Sequence, residues 1–316
     1  MRLLFMGYSN IGHTCLKVLI DLCRQLDDNI VAVVTHEDNP QEQIWFRSVQ
    51  ELALAHNLPV YTPEDPNNPE FVELLRGLAP DFIFSCYYRK MLKKAILNIP
   101  PKGALNLHGS LLPRYRGRCP INWVLLHGEP LTGLTLHYME EKPDYGDMVA
   151  QVQVPIIPED TALTLSDKMA IAAGTLMRQV YPLLRVDLAP RIMQDHNRAT
   201  YFGGRKPEDG RIDWEQPAVQ IYNLIRAVTH PFPGAFTFWR GKRLFLWAGR
   251  PKPENQGPLL QPGEVALDSA AQQLVIGAGQ GRLAVIAAQL EGSPEVVGEA
   301  LVQQLGFLAG EILGRS

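Results

Sequence analysis

The sequence predicts an α/β fold: a Rossmann-like, mostly parallel sheet domain followed by a small β-rich C-terminal domain of the OB-like barrel type. Three observations carry this. Short apolar runs alternate with amphipathic helical patterns over the first hundred residues. From about residue 132 the pattern becomes two neighbouring β-rich runs and one long helix. From 206 to 316 only one helical segment remains, followed by short apolar runs between turns. A chain of 316 residues exceeds the usual size of one core, so two domains are expected: 1–190, a linker over 191–205, and 206–316.

The elements follow in order. "RLLFMGY" opens a strand, "CLKVLIDLCRQL" reads as a helix and "NIVAVVTH" as a second strand. A helix over "SVQELALAHN", the run "PVYTP", a helix over "NPEFVELLRGL", and the runs "DFIFSCYY", "KKAILNI" and "ALNLH" complete the first half. Apolar strands interleaved with helices are βαβ units, and ligands of such sheets bind outside the carboxyl ends of the strands. Asn106 and His108, at the end of "ALNLH", are therefore expected in a crevice. "TGLTLHYM" and "DMVAQVQVPI" follow, joined by "EEKPDYG". Thr164 with Asp167 fits a capping box opening a helix whose apolar residues Leu165, Met169, Ala172, Leu176 and Val180 recur at helical spacing until Pro182 stops it. Residues 185–205 read as a connector. The helix "AVQIYNLIRAV" then precedes "THPFPGAF" and the runs "FTFW", "RLFLWAG", "GEVALD", "QLVIGA" and "RLAVIAAQL".

Composition excludes several function classes. Hydrophobic residues make up 46% and charged residues 20%, which is ordinary for a folded soluble chain. A net charge of -3 is not that of a polyanion collector, so no nucleic-acid partner is expected. Cys15, Cys23, Cys86 and Cys119 lack metal-ligand spacing and read as reduced, mostly buried thiols, so no metal is expected. No leader pattern and no long apolar run is present, which predicts a cytoplasmic protein without a membrane partner. The first loop, "GYSNIG", lacks the middle glycine of a dinucleotide fingerprint, so Gly7 and Gly12 read as a tight strand-to-helix turn and no NAD is expected.

Asn106, His108 and Asp144 form the candidate chemical constellation. Residues two apart on a strand share a side, so the Asn106 amide can face an oxyanion while His108 gives or takes a proton. A carboxylate at that imidazole would hold its tautomer and raise its pKa, and "KPDYGD" offers Asp144, with Asp147 as competitor. A strand-end histidine is also a common scaffold residue, and an aspartate in a Pro/Gly turn is commonly turn chemistry.

"NLHGSLLPRYRGRCPINW" followed by "GEPLTGLTLHYMEEKPDYGDMVAQ" resembles the signature of the folate-dependent formyltransferases: Asn-x-His, then Ser-Leu-Leu-Pro-x-aromatic-Arg-Gly, then an Asp-x-Gly motif downstream. "THEDNP", "DFIFSCYYRKML", "TYFGGRKPEDGRIDW" and "IRAVTHPFPGAF" extend the resemblance over nearly the whole chain. It implies Asn106 as oxyanion stabiliser, His108 as proton shuttle and Asp144 as the group tuning it. It also implies 10-formyltetrahydrofolate as co-substrate, lying along Lys90, Met91 and Leu92, near Arg118, and along Glu140, Glu141, Lys142, Pro143 and Asp144, mainly through main-chain contacts. Pro113, Gly117 and Pro120 restrict the loop after the Asn-x-His strand, and Arg114, Arg116 and Arg118 place positive charge near anionic ligands, with a structural role for at least one of them as the alternative.

The acceptor is read from what differs within the family. Its tRNA-directed members carry a basic, glycine-rich insertion after the second strand. Here "THEDNPQEQIWFRSV" holds Glu37, Asp38 and Glu42 against a distant Arg47, and residues 201–316 carry eleven basic and eleven acidic residues. The resemblance therefore implies a nucleotide-linked amino sugar. "THEDNP" and "YYRKML" favour the branch acting on UDP-4-amino-4-deoxy-L-arabinose in lipid A modification, linked to polymyxin resistance, over the deoxythymidine-linked branch. A methionyl-tRNA formyltransferase and a non-catalytic folate- or nucleotide-binding module are the alternatives. The chain stops at 316 without the oxidative decarboxylase domain fused in that branch, so that activity is expected in a separate protein. Cys119 stands where the family pattern usually has alanine. Oligomeric state is not legible.

Overall fold

The computed structural model describes residues 1–38, 43–252, 259–268 and 273–314, and the chain divides into two compact units. The first comprises Met1–Pro120, Pro130–Ile156 and Thr164–Gly203; the second comprises Ile121–Glu129, Ile157–Leu163 and Gly204–Ser316.

In chain order the first stretch runs β1 (Arg2–Gly7), α1 (Ser9–Leu26), β2 (Asn29–Val34), α2 (Val49–Ala55), β3 (Val60–Tyr61), α3 (Pro69–Gly77), β4 (Phe82–Cys86), α4 (Lys94–Leu97) and β5 (Ala104–His108). Then come β6 (Arg116–Gly117), α5 (Pro120–Leu126), β7 (Leu131–Tyr138), β8 (Met148–Pro155), α6 (Ala162–Arg185) and β9 (Tyr201–Phe202). The main sheet has the order β3-β2-β1-β4-β5-β7-β8, parallel through β5 and antiparallel at β7 and β8. β1, β2 and β4 are buried nearly throughout because helices cover both faces, which is why their sequences are continuous apolar runs.

Local chemistry sets the boundaries. Asn68 caps α3 by accepting from the Glu70 N–H, with Pro69 at the first helical position, where its missing N–H costs nothing. Gly12 opens α1 against β4: a Cβ there would lie 2.9 Å from the Cys86 carbonyl oxygen. The two glycines of the first loop thus serve close packing of helix on strand. α6 differs from the sequence reading at both ends. It starts at Ala162, so Thr164 is already helical, and it runs through Pro182 to Arg185. The packing of Tyr181 and Leu184, both buried, carries the helix a further turn past the proline.

In the second unit α7 (Ala218–Val228) precedes β10 (Ala235–Trp239), β11 (Lys242–Lys252), β12 (Val265–Asp268), β13 (Gln273–Gly277), β14 (Arg282–Leu290), β15 (Glu295–Val297) and α8 (Ala300–Leu305). These strands are antiparallel in the order β10-β11-β14-β13-β12, with β15 added to β14. Among the described residues no helix is long and apolar enough to cross a membrane.

Candidate active site

β5 sits where the sheet changes direction, between parallel β4 and antiparallel β7. Asn106 is paired with Ser85 on one side and His137 on the other, and His108 is opposite Thr135. Alternation puts Leu105 and Leu107 on the buried opposite face. Past His108 the chain is tied to the sheet edge. Thr135 Oγ1 accepts from the Leu112 N–H (3.0 Å) and donates to the Ser110 carbonyl (2.7 Å), while the Gln151 amide donates to the Leu112 carbonyl at 2.8 Å.

The turn from β7 to β8 delivers the carboxylate. Asp144 adopts a left-handed φ of 55°, and Gly146 is required there because a Cβ would lie 2.2 Å from the Tyr138 carbonyl oxygen. Asp144 Oδ2 accepts the Gly117 N–H at 2.8 Å, while Oδ1 lies 3.4 Å from His108 Nδ1 and 3.5 Å from His137 Nε2. Asp147 points away and pairs with Arg191 at 3.1 Å, so of the two sequence candidates only Asp144 reaches the imidazole.

Tautomers follow from these partners. His108 Nε2 faces the Tyr115 carbonyl at 2.7 Å and must donate to it, which leaves the basic lone pair on Nδ1, toward Asp144. His137 Nδ1 faces the Tyr138 carbonyl at 2.8 Å, and its Nε2 lies 3.2 Å from Asn106 Nδ2 and 3.5 Å from Asp144 Oδ1.

Burial of a ring only 7% exposed lowers the His108 pKa, with Arg116 adding to that fall; Asp144 pulls it upward, as a carboxylate at the imidazole was expected to, and so does the Tyr115 carbonyl, but burial outweighs them. For Asp144, burial pushes upward, but His108, His137 and the Gly117 N–H prevail and bring it down to about 2. The pair therefore rests as a carboxylate beside a neutral imidazole.

The other candidate residues are dispersed. Glu140, Glu141 and Lys142, with Lys94, Leu97, Asn98, Met139 and Tyr145, line a cavity of about 580 Å³. Pro143 is exposed on the same turn. In the loop after β4, Lys90 Nζ is held by the Pro63 and Glu64 carbonyls, and Met91 is 57% exposed, its carbonyl accepting from Asn67 at 2.9 Å. Leu92, 3% exposed, packs in the core with Leu4, Met6 and Ile83, so its side chain is not offered to a ligand. Arg114 and Arg118 are exposed, but Arg116 is 1% exposed: its guanidinium is not presented to a ligand and instead donates to Tyr201 Oη and Gln194 Oε1. Asp38 and Glu37 accept from Tyr8 and Thr62, and Glu42 lies outside the described residues. Cys15, Cys23 and Cys86 are buried free thiols and Cys119 a half-buried one, and among the described residues no group could hold a metal ion.

Comparison with known proteins decides the family. A family model described as formyl transferase matches residues 1–181, and one described as formyl transferase, C-terminal domain, matches residues 205–306. The chain belongs to the formyl transferase family. Its fold is shared with WlaRD, described as a sugar 3N-formyl transferase and solved with dTDP and 5-N-formyl-THF (18% identity, TM-score 0.67, 93% of this chain and 99% of that one). It is shared with an N-formyltransferase from Helicobacter canadensis, solved with folinic acid and dTDP-3-aminofucose (18% identity, TM-score 0.66, 90% and 98%). HypX from Aquifex aeolicus, solved with tetrahydrofolic acid, matches at 17% identity and TM-score 0.61 over 96% of this chain but only 47% of its own.

Sequence reasoning about this formyltransferase missed His137 and Gln194. Both are polar residues that the fold buries, and burial is the signal a single sequence hides. The pairing of "TLHY" opposite "LNLH" would have exposed His137 as the residue across from Asn106.

Proposed function

We propose that this formyltransferase moves the formyl group of 10-formyltetrahydrofolate to the amine of a nucleotide-linked amino sugar, with UDP-4-amino-4-deoxy-L-arabinose as acceptor. The observation that carries the reading is the convergence of Asn106, His108 and Asp144 at the carboxyl edge of the sheet, with a neutral imidazole against an ionised carboxylate.

The chemistry follows from that arrangement. The neutral acceptor amine attacks the formyl carbon, and the carbonyl oxygen gathers negative charge at the Asn106 amide. Removing one such donor typically costs ~10²–10³ in turnover. The amine must then lose a proton. His108 Nδ1 takes it, and the imidazolium so formed lies 3.4 Å from Asp144 and 2.7 Å from the Tyr115 carbonyl, so the new charge is compensated where it appears. Passing that proton to the folate nitrogen lets the C–N bond break, since an unprotonated amide nitrogen leaves poorly. Glu140, Glu141 and Lys142 flank the cavity beside the Asp144 turn and are assigned to the donor, with Met91 and Lys90 contributing through backbone.

The solved relatives named with dTDP or dTDP-3-aminofucose support a nucleotide sugar as the acceptor class; the uridine-linked aminoarabinose rests on "THEDNP" and "YYRKML". An assay following tetrahydrofolate release, with the UDP sugar, a deoxythymidine-linked 4-amino sugar and methionyl-tRNA in parallel, tests the reading. Turnover with the UDP sugar alone is expected. Turnover with the deoxythymidine sugar alone moves the chain to the other branch, turnover with the tRNA alone overturns the sugar reading, and folate binding without turnover on any amine makes the chain a binding module.

A further inference from the structure

Residues 191–202 lie between the two family-model matches, and they make a systematic set of bonds to the two loops that carry the site. Arg191 pairs with Asp147, and Ile192 exchanges backbone bonds with Met148 at 2.7 and 2.8 Å. The His196 ring stacks on Tyr145 with centroids 3.8 Å apart and planes 7° from parallel. Further on, the Thr200 carbonyl accepts the Arg116 N–H, Thr200 Oγ1 accepts the Tyr115 N–H, and the Phe202 carbonyl accepts the Arg118 N–H. Residues on both sides of Asp144, and the loop whose Gly117 N–H and Tyr115 carbonyl serve Asp144 and His108, are thus braced by one strap of chain.

Within the strap one side chain stands out. Gln194 is 2% exposed, and all its amide bonds converge on the site. Its Nε2 donates to the Asp144 carbonyl at 3.0 Å and to the Gly146 carbonyl at 2.7 Å. Its Oε1 accepts from Arg116 at 2.5 Å, and the Arg116 guanidinium is in turn held by Tyr201 Oη, by His196 Nδ1 and over the Tyr145 ring at 5.0 Å. Asp144 holds a left-handed backbone, a conformation that aspartate tolerates better than most residues, so the bend itself leaves room for a neighbouring group to fix its exact geometry. The two carbonyls clasped by Gln194 are those of Asp144 itself and of the glycine two residues on, so the amide fixes both ends of the bend. A buried arginine supplies the counterpart that orients that amide, because an Oε1 facing the guanidinium turns Nε2 toward the carbonyls.

We infer that Gln194, oriented by Arg116, is a positioning residue that holds the Asp144 carboxylate at His108, and hence that residues 191–202 are part of the reaction's machinery. The inference rests on the proposed role of Asp144, and its test separates the two. Gln194→Glu keeps an oxygen for Arg116 but gives up both N–H donations to the turn; Gln194→Met gives up all three bonds at similar volume. Each is made alone and in Asp144→Asn, and kcat, KM for the acceptor, the pH profile and thermal unfolding are measured. Gln194→Glu is expected to fold with a lowered unfolding temperature, because two buried carbonyls lose their donor, to lower kcat by a factor approaching that of Asp144→Asn with KM little changed, and to move the acid limb of the profile to lower pH. Added to Asp144→Asn, neither change should lower kcat further, because the group being positioned is already gone. If Gln194→Met does not fold, Gln194→Glu carries the same cycle. Wild-type kcat in a folded Gln194→Glu, or full additivity with Asp144→Asn, overturns the inference alone. Wild-type kcat in Asp144→Asn overturns the inference and the proposed mechanism together.

Discussion

His36 and His108 stand at the carboxyl ends of two strands of one sheet, β2 and β5, and differ in the company they keep. His36 is stacked on Tyr88 at 4.3 Å, its Nε2 accepts the Arg89 N–H at 3.0 Å, and burial together with Lys90 and Arg89 takes its pKa to about 4. His108 is more deeply buried and also shifted downward, but its neighbour is a carboxylate that opposes the shift. Desolvation at a sheet edge makes either ring neutral. What distinguishes a ring that stays neutral from one that can take a proton in passing is whether the next charge is a cation or Asp144.

Replacing each ring separates the two cases most sharply. His108→Gln is expected to lower kcat by ~10²–10⁴, the usual worth of a positioned proton carrier, while His36→Gln leaves kcat near the wild-type value. Equal losses in steady-state kinetics would erase the distinction. Asn106→Ala comes next, lowering kcat by ~10²–10³ with KM for the donor little altered, as expected for a contact made only when the oxyanion forms. Single-turnover rates check that the loss lies in the chemical step. Asp144→Asn follows with a smaller loss in kcat, because it removes compensation for the imidazolium and leaves the base in place.

The smallest effect is on stability. A histidine whose pKa falls on folding makes the unfolded chain the better proton binder, so stability is lost as pH drops from about 6.5 toward about 4 for His36. Asp144 acts in the other window: its contribution is full above the ordinary carboxylate value of 3.8 and is lost only as pH falls toward about 2. Urea midpoints measured from neutral pH down to about 4 should therefore fall in the wild type and fall less in His36→Gln, where one of the histidines whose pKa falls on folding has been removed.

Much of this was legible in the sequence, for identifiable reasons. The parallel strands are continuous apolar runs because both their faces are covered, and the runs named for the second unit coincide with β10 to β14 because hairpin turns delimit them. Asn106 and His108 could be placed together because strand period is fixed, and Asp144 could be preferred to Asp147 only through family resemblance, since nothing local distinguishes two aspartates three residues apart. Burial was not legible. It outweighs the upward pull of Asp144 at His108, makes Arg116 the structural one of the three loop arginines, and turns Gln194 from a polar residue of a connector into a clasp on the Asp144 turn. Each is a consequence of distant chain segments meeting, which pattern and propensity do not encode.

The decisive measurement is an NMR titration of ring-labelled His108, assigned with His108→Gln and repeated in Asp144→Asn. A neutral ring held by Asp144 should show a proton on Nε2, a pKa below the ordinary 6.5, and a further fall when Asp144 loses its charge. A pKa at or above 6.5, or one that does not move in Asp144→Asn, would contradict it.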